Sequence, residues 1–345
     1  RPSSSSIDKI TWKKDKKMTI NLRVIGAFLA ASLLPVSAFA DVQWDVSVPW
    51  APKEFHSVNA ENFARKVEEA TNGEVVMTVH PGGALGIKAN ESLRAIEDGA
   101  VQMGEYALFQ QVGEVPLLGI ESIPFLIKDY SQLRKMHELV RPAWEEALKK
   151  RNQKALYIVP WPSQNFFTKD PVASMADLSG VRFRTYDANT ATMIERLGGV
   201  PLQLNNADVV PALATGKITA AMTSGSTAAA NKYWQFLNHT YNTNHLWASN
   251  GMAVNLDSWN ELTDQQRKII EQVANEMEPQ FWAVSEAEHA KRMKELMDNG
   301  MTVSAPTAQL LADMQRETAD MADDFGNRVA GSADIIKKFR AMIGN

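Results

Sequence analysis

Residues 178–224 read LSGVRFRTYDANTATMIERLGGVPLQLNNADVVPALATGKITAAMTS, and this segment decides the fold class. Val181–Tyr186 has the pattern of a short strand, in which successive side chains point to opposite faces. A helix is expected next, with Asp187 or Asn189 as its N-cap. An extended run at Val200–Leu204, a second helix and a third strand follow. Alternation of strands and helices predicts an α/β sheet.

Arg184 is the main candidate for a binding residue in this segment. Arg182 and Arg184 share one face of the predicted strand, and Phe183 takes the other. Arg184 lies at the C-terminal end of its strand, which is where open α/β sheets bind their ligands. Two interpretations are open. Arg184 is either a surface arginine paired with a nearby acid, or a guanidinium that binds a carboxylate through two parallel hydrogen bonds.

Four short motifs in the segment resemble the signature of TRAP (tripartite ATP-independent periplasmic) transporter solute-binding proteins, written G-x-K-x-R, G-A-x-P, E-x-Y-x-A-L and G-x-V-D-G. They are Gly180-Val-Arg-Phe-Arg184, Leu197-Gly-Gly-Val-Pro201, Asp208-Val-Val-Pro-Ala-Leu213 and Thr215-Gly-Lys-Ile218. In that family the arginine that matches Arg184 binds the carboxylate of the ligand. The resemblance therefore favours the second interpretation.

The resemblance extends over nearly the whole chain after its first 40 residues. A strand at Asp41–Trp50, a helix, a second strand at Glu74–His80 and Pro81-Gly-Gly-Ala-Leu-Gly86 are also similar to the family's N-terminal pattern. The resemblance implies an α/β, two-domain periplasmic binding protein with mixed sheets, hinge crossovers and one long helix that spans both domains. Here that helix is expected to be capped by Thr263 and to end at Asp298.

The predicted domains are discontinuous. Domain I is expected to comprise residues 41–161 plus 250–285, and domain II residues 162–249 plus 286–345. The chain is expected to cross between them near Trp161, near Ser249 and along the long helix. In domain I, a helix is predicted over Ser131–Lys150, and Pro142 within it should kink the helix or split it in two.

Residues 1–40 are predicted to be a leader and a secretory signal peptide. An apolar run at Val24–Val36 precedes Ala38-Phe39-Ala40, an A-x-A cleavage site. The run is shorter than the roughly 20 residues that a membrane-spanning helix needs. An uncleaved anchor is the alternative. The mature protein is expected to begin at Asp41 and to be periplasmic.

The composition argues against several kinds of partner. Residues 1–40 hold seven of the 36 Lys and Arg residues and two of the 40 Asp and Glu residues, so the remaining chain has a net charge of −9. An acidic surface disfavours nucleic acid and anionic lipid as partners. The chain has no cysteine, so no disulfide framework is expected.

No catalytic motif is present in the sequence. The six histidines show no H-E-x-x-H or similar ligand spacing, and there is no G-x-S-x-G nucleophile motif. We therefore expect no catalytic residues, no metal site and no cofactor. A solute-binding role needs only a cleft, a charged anchor and hinges. A periplasmic ligand-sensing module and an α/β periplasmic enzyme are the alternatives.

The resemblance also suggests further site residues. Many members carry a second arginine where this sequence has Gln164. One positive charge is therefore missing here, which disfavours a dicarboxylate ligand. The alternative is that Lys53 or Lys169 supplies the missing charge. Thr223 stands where some members have asparagine, and Asn206 where sialic-acid binders have phenylalanine.

Two aromatic residues complete the predicted site. Trp50 and Tyr106 lie at strand ends and are expected either to form aromatic walls or to pack in the core. The expected ligand is a small monocarboxylate with a hydroxy, keto or ring substituent. The expected partners are that ligand and the membrane permease subunits of a TRAP transporter, and the protein is expected to be a monomer.

Overall fold

The strands of the protein form two separate sheets in a computed structural model that describes residues 42–344. In chain order the strands are β1 (Val42–Ser47), β2 (Val75–His80), β3 (Met103–Ala107), β4 (Gln153–Pro160), β5 (Gln164–Thr168), β6 (Arg182–Thr185), β7 (Val200–Gln203), β8 (Ala220–Ser224), β9 (His239–Tyr241), β10 (Ser249–Asn255) and β11 (Thr302–Ser304). The helices are α1 (Phe55–Ala70), α2 (Ser92–Glu97), α3 (Tyr130–Lys149), α4 (Ala188–Arg196), α5 (Asn206–Ala214), α6 (Gly225–Ala230), α7 (Leu256–Glu261), α8 (Asp264–Asp298), α9 (Ala308–Thr318), α10 (Met321–Arg328) and α11 (Ser332–Ile343).

Both sheets are mixed, which confirms the predicted fold class. The first sheet has the order β2-β1-β3-β10-β4, and the second has the order β11-β9-β5-β8-β6-β7. In the first sheet β1 is parallel to β2 and β3, whereas β10 is antiparallel to both of its neighbours. In the second sheet β6 is parallel to β7 and β8, whereas β5 is antiparallel to β8 and β9. We call the part of the molecule built on each sheet the first and the second lobe.

The strand directions bring many strand ends to one edge of each sheet. Because β10 is antiparallel to both β3 and β4, these two strands run the same way as β1. The C-terminal ends of β1, β3 and β4 therefore share one edge of the first sheet. In the second sheet, the C-terminal ends of β6, β7 and β8 share an edge with the start of the antiparallel β5. Such edges are where α/β sheets bind ligands.

The second sheet is covered by apolar side chains on both faces. Phe166 of β5 and Met222 of β8 belong to the large core cluster that continues into the first lobe. Their neighbours Phe167 and Ala221 belong to a smaller cluster with residues of α5 and α8. This division follows from the alternation of side chains along a strand. It explains why every residue of β5 and β8 is buried.

Helix α8 contacts both lobes. It has 35 residues, which corresponds to a length of about 52 Å. The side chain of Thr263 accepts from the Gln266 backbone N–H at 3.2 Å and caps its N-terminus, as predicted. One half packs against α1 and β4, and the other packs against α6 and β11. The predicted long helix is confirmed at both of its ends.

Helix α3 runs for 20 residues through Pro142 without a break. Of the two predicted outcomes, division into two helices is therefore wrong, and a kink stays a prediction. A proline removes one backbone hydrogen bond from a helix. Here the buried residues Met136 and Val140 before it and Trp144 after it form one continuous apolar face, which holds the turns together.

Some predictions fall outside the described residues. The leader and signal peptide assigned to residues 1–40 are among them. The exact domain boundaries stay predictions. Between residues 42 and 344, no helix combines the length and the apolar character needed to cross a bilayer.

Candidate functional site

A cavity lies where the ligand-binding edges of the two sheets meet. The space between its walls is about 340 Å³, which includes space open to solvent at its mouth. A cavity that combines apolar walls with a few polar groups is typical of small-molecule sites.

The first lobe supplies a wall that is mainly aromatic, formed by Trp50, Phe109, Gln110 and Trp161. Each of these residues follows the C-terminal end of β1, β3 or β4 within a few positions. The rings of Trp50 and Trp161 meet edge to face, with centroids 5.1 Å apart and planes at 82°. We call these four residues the aromatic wall.

The second lobe supplies a polar wall, formed by Gln164, Arg184, Tyr186, Asn206, Thr223, Ser224 and Thr227. Gln164 is the first residue of β5 and Asn206 the first residue of α5. Thr223 is in β8, close to its C-terminal end. The wall therefore consists of amide, hydroxyl and guanidinium groups that the strand edge of the second sheet presents together.

Arg184 is a buried cation in the polar wall, only 4% exposed. Its Nε donates to the Leu204 carbonyl at 3.1 Å and its Nη1 donates to the Met222 carbonyl at 3.2 Å. These two bonds fix the plane of the guanidinium. Within residues 42–344, no carboxylate oxygen comes within 4.0 Å of it, and burial lowers the pKa of Arg184 below its usual value.

The surroundings of Arg184 favour an anionic ligand. Its Cζ lies 5.0 Å from the ring centroid of Tyr186, a cation–π contact. Asp187 is the nearest acid to contribute electrostatically, but its Oδ1 accepts from the Thr190 backbone N–H at 2.8 Å and caps α4. A buried charge is strongly disfavoured unless it is paired. A carboxylate in the cavity would provide the pairing that the protein itself does not.

Several other buried polar atoms at the cavity lack a hydrogen-bond partner in the part of the chain that the structure describes. They are Trp50 Nε1, Gln110 Oε1, Tyr186 Oη and Asn206 Oδ1. The indole N–H is a donor only, the two amide oxygens are acceptors, and the phenol is both. Buried polar groups are normally satisfied. The cavity therefore offers both donors and acceptors to a ligand besides its cation.

The structure brings together most of the residues that the sequence nominated. Five of them line this one cavity: Arg184, Gln164, Thr223, Asn206 and Trp50.

Tyr106 does not line the cavity, so its nomination as a wall is corrected. It lies in β3, is 0% exposed, and its hydroxyl donates to Gln153 Oε1 at 3.0 Å. It has the core role that was its alternative. Lys53 and Lys169 are exposed and do not line the cavity either. Arg184 is thus the one Lys or Arg among the lining residues.

Sequence reasoning missed part of both walls. The lining residues that were not nominated are Phe109, Gln110 and Trp161 of the aromatic wall and Tyr186, Ser224 and Thr227 of the polar wall. Their common signal is position, since each one lies within a few residues of a strand end at the binding edge.

A cavity between the facing sheet edges of two lobes is typical of solute-binding proteins, as is a buried cation in it that has no carboxylate partner among residues 42–344. The chain belongs to the family of bacterial extracellular solute-binding proteins, family 7 (DctP), whose model matches residues 46–328. This confirms the resemblance to TRAP solute-binding proteins. Members of the family are receptors for solutes and not enzymes.

Three relatives illustrate the similarity. A marine metagenome TRAP solute-binding protein specific for pyroglutamate is 33% identical, covers 87% of this chain and 98% of its own, and superposes with a TM-score of 0.83. An extracytoplasmic solute receptor of Bordetella pertussis that binds pyroglutamic acid is 28% identical, with coverages of 86% and 98% and a TM-score of 0.84. A solute-binding protein of Chromohalobacter salexigens is 23% identical over 299 residues, or 84% of this chain and 88% of that protein.

Proposed function

We propose that this protein captures a small organic monocarboxylate in the cavity between its lobes and delivers it to the membrane permease subunits of a TRAP transporter. The observation that carries the proposal is the single buried cation, Arg184, which has no protein carboxylate within 4.0 Å among residues 42–344. Its fixed guanidinium presents the geometry that binds a carboxylate through paired hydrogen bonds.

The charge balance of the cavity favours one carboxylate over two. Gln164 offers an amide, which can bind a hydroxyl or keto oxygen but cannot neutralise a second negative charge. Lys53 and Lys169, the candidates for a second cation, are exposed and away from the cavity walls. A dicarboxylate would bring one uncompensated charge into a closed site, which is costly.

Within the monocarboxylates, the polar atoms of the cavity fit pyroglutamate, which three of the solved relatives bind. Its carboxylate would pair with Arg184. Its ring carbonyl would accept from the Trp50 indole N–H, and its ring N–H would donate to Gln110 Oε1 or Asn206 Oδ1. The Trp50 indole N–H and the amide oxygens of Gln110 and Asn206 have no other hydrogen-bond partner among residues 42–344. A lactam ring therefore satisfies a donor and an acceptor of the protein at once.

Calorimetry tests the proposal directly. The purified mature protein should bind pyroglutamate, lactate or a 2-keto acid with saturable heat, and the best of these should bind at least about tenfold more tightly than malate or succinate. Tighter binding of a four-carbon dicarboxylate by the unmodified protein would contradict the monocarboxylate assignment. Turnover of any of these compounds would contradict the receptor role.

We also propose that the lobes close on the ligand as two domains, with residues 41–161 plus 250–285 in one and 162–249 plus 286–345 in the other. Support comes from the two sheets, whose strands divide along the chain in the same way up to residue 255. Small-angle scattering should show a monomer whose radius of gyration falls when the ligand is added. An unchanged radius at saturating ligand, or a dimer mass, would contradict these assignments.

A further inference from the structure

A line of buried polar side chains lies behind the aromatic wall of the cavity. The indole Nε1 of Trp161 donates to Asn250 Oδ1 at 2.7 Å, and Asn250 Nδ2 donates to Glu105 Oε1 at 2.6 Å. The same Glu105 oxygen lies 2.7 Å from Nδ1 of His56. Asn250, Glu105 and His56 are fully buried and do not line the cavity. The line therefore touches the site only through Trp161.

The order of donors and acceptors in this line fixes the orientation of the Asn250 amide. A carboxylate accepts hydrogen bonds, so the NH₂ end of Asn250 has to face Glu105. The oxygen end then faces Trp161, where it accepts from an indole N–H that can only donate. If the Asn250 amide were reversed, its NH₂ group would face the Trp161 N–H and its oxygen would face the Glu105 carboxylate, so neither hydrogen bond could form. The indole N–H of Trp161 is thus held by the protein and is not available to a ligand.

Trp50, the edge-to-face neighbour of Trp161, is in the opposite situation. Both rings line the cavity, and both side chains are 4% exposed. The Trp50 indole N–H, however, has no hydrogen-bond partner among residues 42–344. The two tryptophans of the aromatic wall therefore differ in what they offer a ligand. Trp161 offers only a ring surface, because its N–H is occupied, whereas Trp50 offers a ring surface and an N–H donor without a partner among residues 42–344.

We propose that Asn250 is a positioning residue for ligand selection. By occupying the indole N–H of Trp161, it makes Trp161 an apolar wall and leaves Trp50 as the indole donor of the pair. The cavity then selects ligands that carry one acceptor oxygen beside an apolar ring surface, in addition to the carboxylate. This inference rests on the proposed binding of a small monocarboxylate, whose substituent it specifies.

Indole N–H resonances in ¹H–¹⁵N NMR spectra of the unmodified protein test the assignment, and variants serve only to identify the signals. Trp161→Phe and Trp50→Phe identify the two signals. In the ligand-free protein, the Trp161 N–H should exchange slowly with solvent, as should the control Trp282, which donates to the Ile158 carbonyl at 2.9 Å. Added pyroglutamate should shift the Trp50 signal and leave those of Trp161 and Trp282 in place. A ligand-induced shift of Trp161 with an unmoved Trp50 would overturn the proposal.

A double-mutant cycle tests whether Asn250 acts through Trp161. Asn250→Ala should weaken pyroglutamate binding about tenfold, because the indole loses its fixed acceptor. In a Trp161→Phe background the same substitution should change affinity by less than about twofold, since no indole N–H remains to be positioned. An equal loss in both backgrounds would contradict the positioning role.

Asn255→Ala is the matched control for this cycle. Asn255 is a buried asparagine on the same strand, and its Nδ2 donates to the Ile96 carbonyl at 2.8 Å, away from the cavity. This variant should lower the melting temperature without changing affinity. If the unmodified protein binds no pyroglutamate, the proposed ligand is wrong. Solvent exchange of the indole N–H groups in the ligand-free protein still tests Asn250 in that case, because fast exchange of the Trp161 N–H would overturn the role of Asn250.

Discussion

The two walls of the cavity are built in different ways. The polar wall comes from one stretch of the chain, from Arg184 to Thr227, and from Gln164 at the start of β5. The aromatic wall is assembled from three separated points of the chain, at Trp50, at Phe109 and Gln110, and at Trp161. One wall carries the charge, and the other mainly carries ring surface. We therefore expect loss of the charged anchor in the polar wall to remove binding, and changes at the uncharged residues of either wall to alter which ligand is preferred.

The largest effect is expected at the charged anchor of the polar wall. Arg184→Ala should weaken binding of the carboxylate ligand by at least about 30-fold, because removing one partner of a buried charge pair costs roughly 2–5 kcal/mol. Arg184→Lys should restore only part of the affinity, since an ammonium cannot reproduce the planar fork. Calorimetric titration with pyroglutamate measures both.

Arg182→Ala is the matched control. Arg182 is on the same strand two residues earlier, but it is exposed, and its guanidinium donates to the Lys217 carbonyl at 2.9 Å and the Gly216 carbonyl at 2.7 Å. It should leave affinity unchanged. If Arg184→Ala binds as tightly as Arg182→Ala, Arg184 is not the anchor.

The sequence predicted more of the polar wall than of the aromatic wall, because the polar wall comes mainly from one stretch of the chain and the aromatic wall from three separated points. Arg184 could be identified from the sequence because the five-residue motif Gly180–Arg184 places it at the end of a strand. The residues that follow it in the chain form most of the polar wall. Tyr106 was misplaced because every residue of β3 is buried, so alternation does not reveal which face points to the cavity. Trp161 was missed as a site residue because it was interpreted only as a crossing between the domains, although it directly follows the C-terminal end of β4 at the binding edge.

The second effect concerns a buried contact between the two lobes, next to the cavity walls but not part of them. Glu54, which precedes α1 in the first lobe, accepts from the Ser226 hydroxyl of α6 in the second lobe at 2.8 Å. Burial raises the pKa of Glu54 from 4.5 to about 7, against the opposing influences of Ser226 and Arg292, and Glu288 adds to the rise. The folded protein thus holds this proton more tightly than the unfolded chain does.

A raised carboxyl pKa makes the folded protein less stable as the pH rises from 4.5 to about 7. Between pH 5 and pH 8 the wild type should lose about 2 kcal/mol of stability relative to Glu54→Gln, which keeps the shape and stays neutral. Denaturant titration at both pH values measures the difference. Glu61→Gln, which removes an exposed charge from the same helix, should follow the wild type. Parallel behaviour of wild type and Glu54→Gln would refute this account.

The third effect is a change of specificity in the polar wall. Gln164→Arg should lower affinity for the native monocarboxylate and raise the ratio of malate to pyroglutamate affinity about tenfold, because a second cation can pair with a second carboxylate. Gln280→Arg adds the same charge at an exposed position on α8 and serves as the control. An unchanged ratio in competition titrations would show that Gln164 does not face the distal end of the ligand.

The smallest effect is expected in the aromatic wall. Trp50→Phe removes a donor and keeps a ring, so it should weaken pyroglutamate binding about fivefold while leaving cyclopentanecarboxylate, which has no ring oxygen, unaffected. Tyr106→Phe should alter neither affinity, because Tyr106 does not line the cavity. Equal losses for both ligands in Trp50→Phe would indicate that the indole acts only through its surface.

The position of β10 in the first sheet has a consequence for the timing of folding. β10 lies between β3 and β4, although the chain supplies it only after all the strands from β5 to β9. A chain growing from its N-terminus has no partner to join β3 to β4 until residue 255 is present, and closing so long a loop makes folding slow. Until then, both strands expose unpaired edges that invite aggregation. The protein therefore completes its first lobe late, after most of the chain has been made.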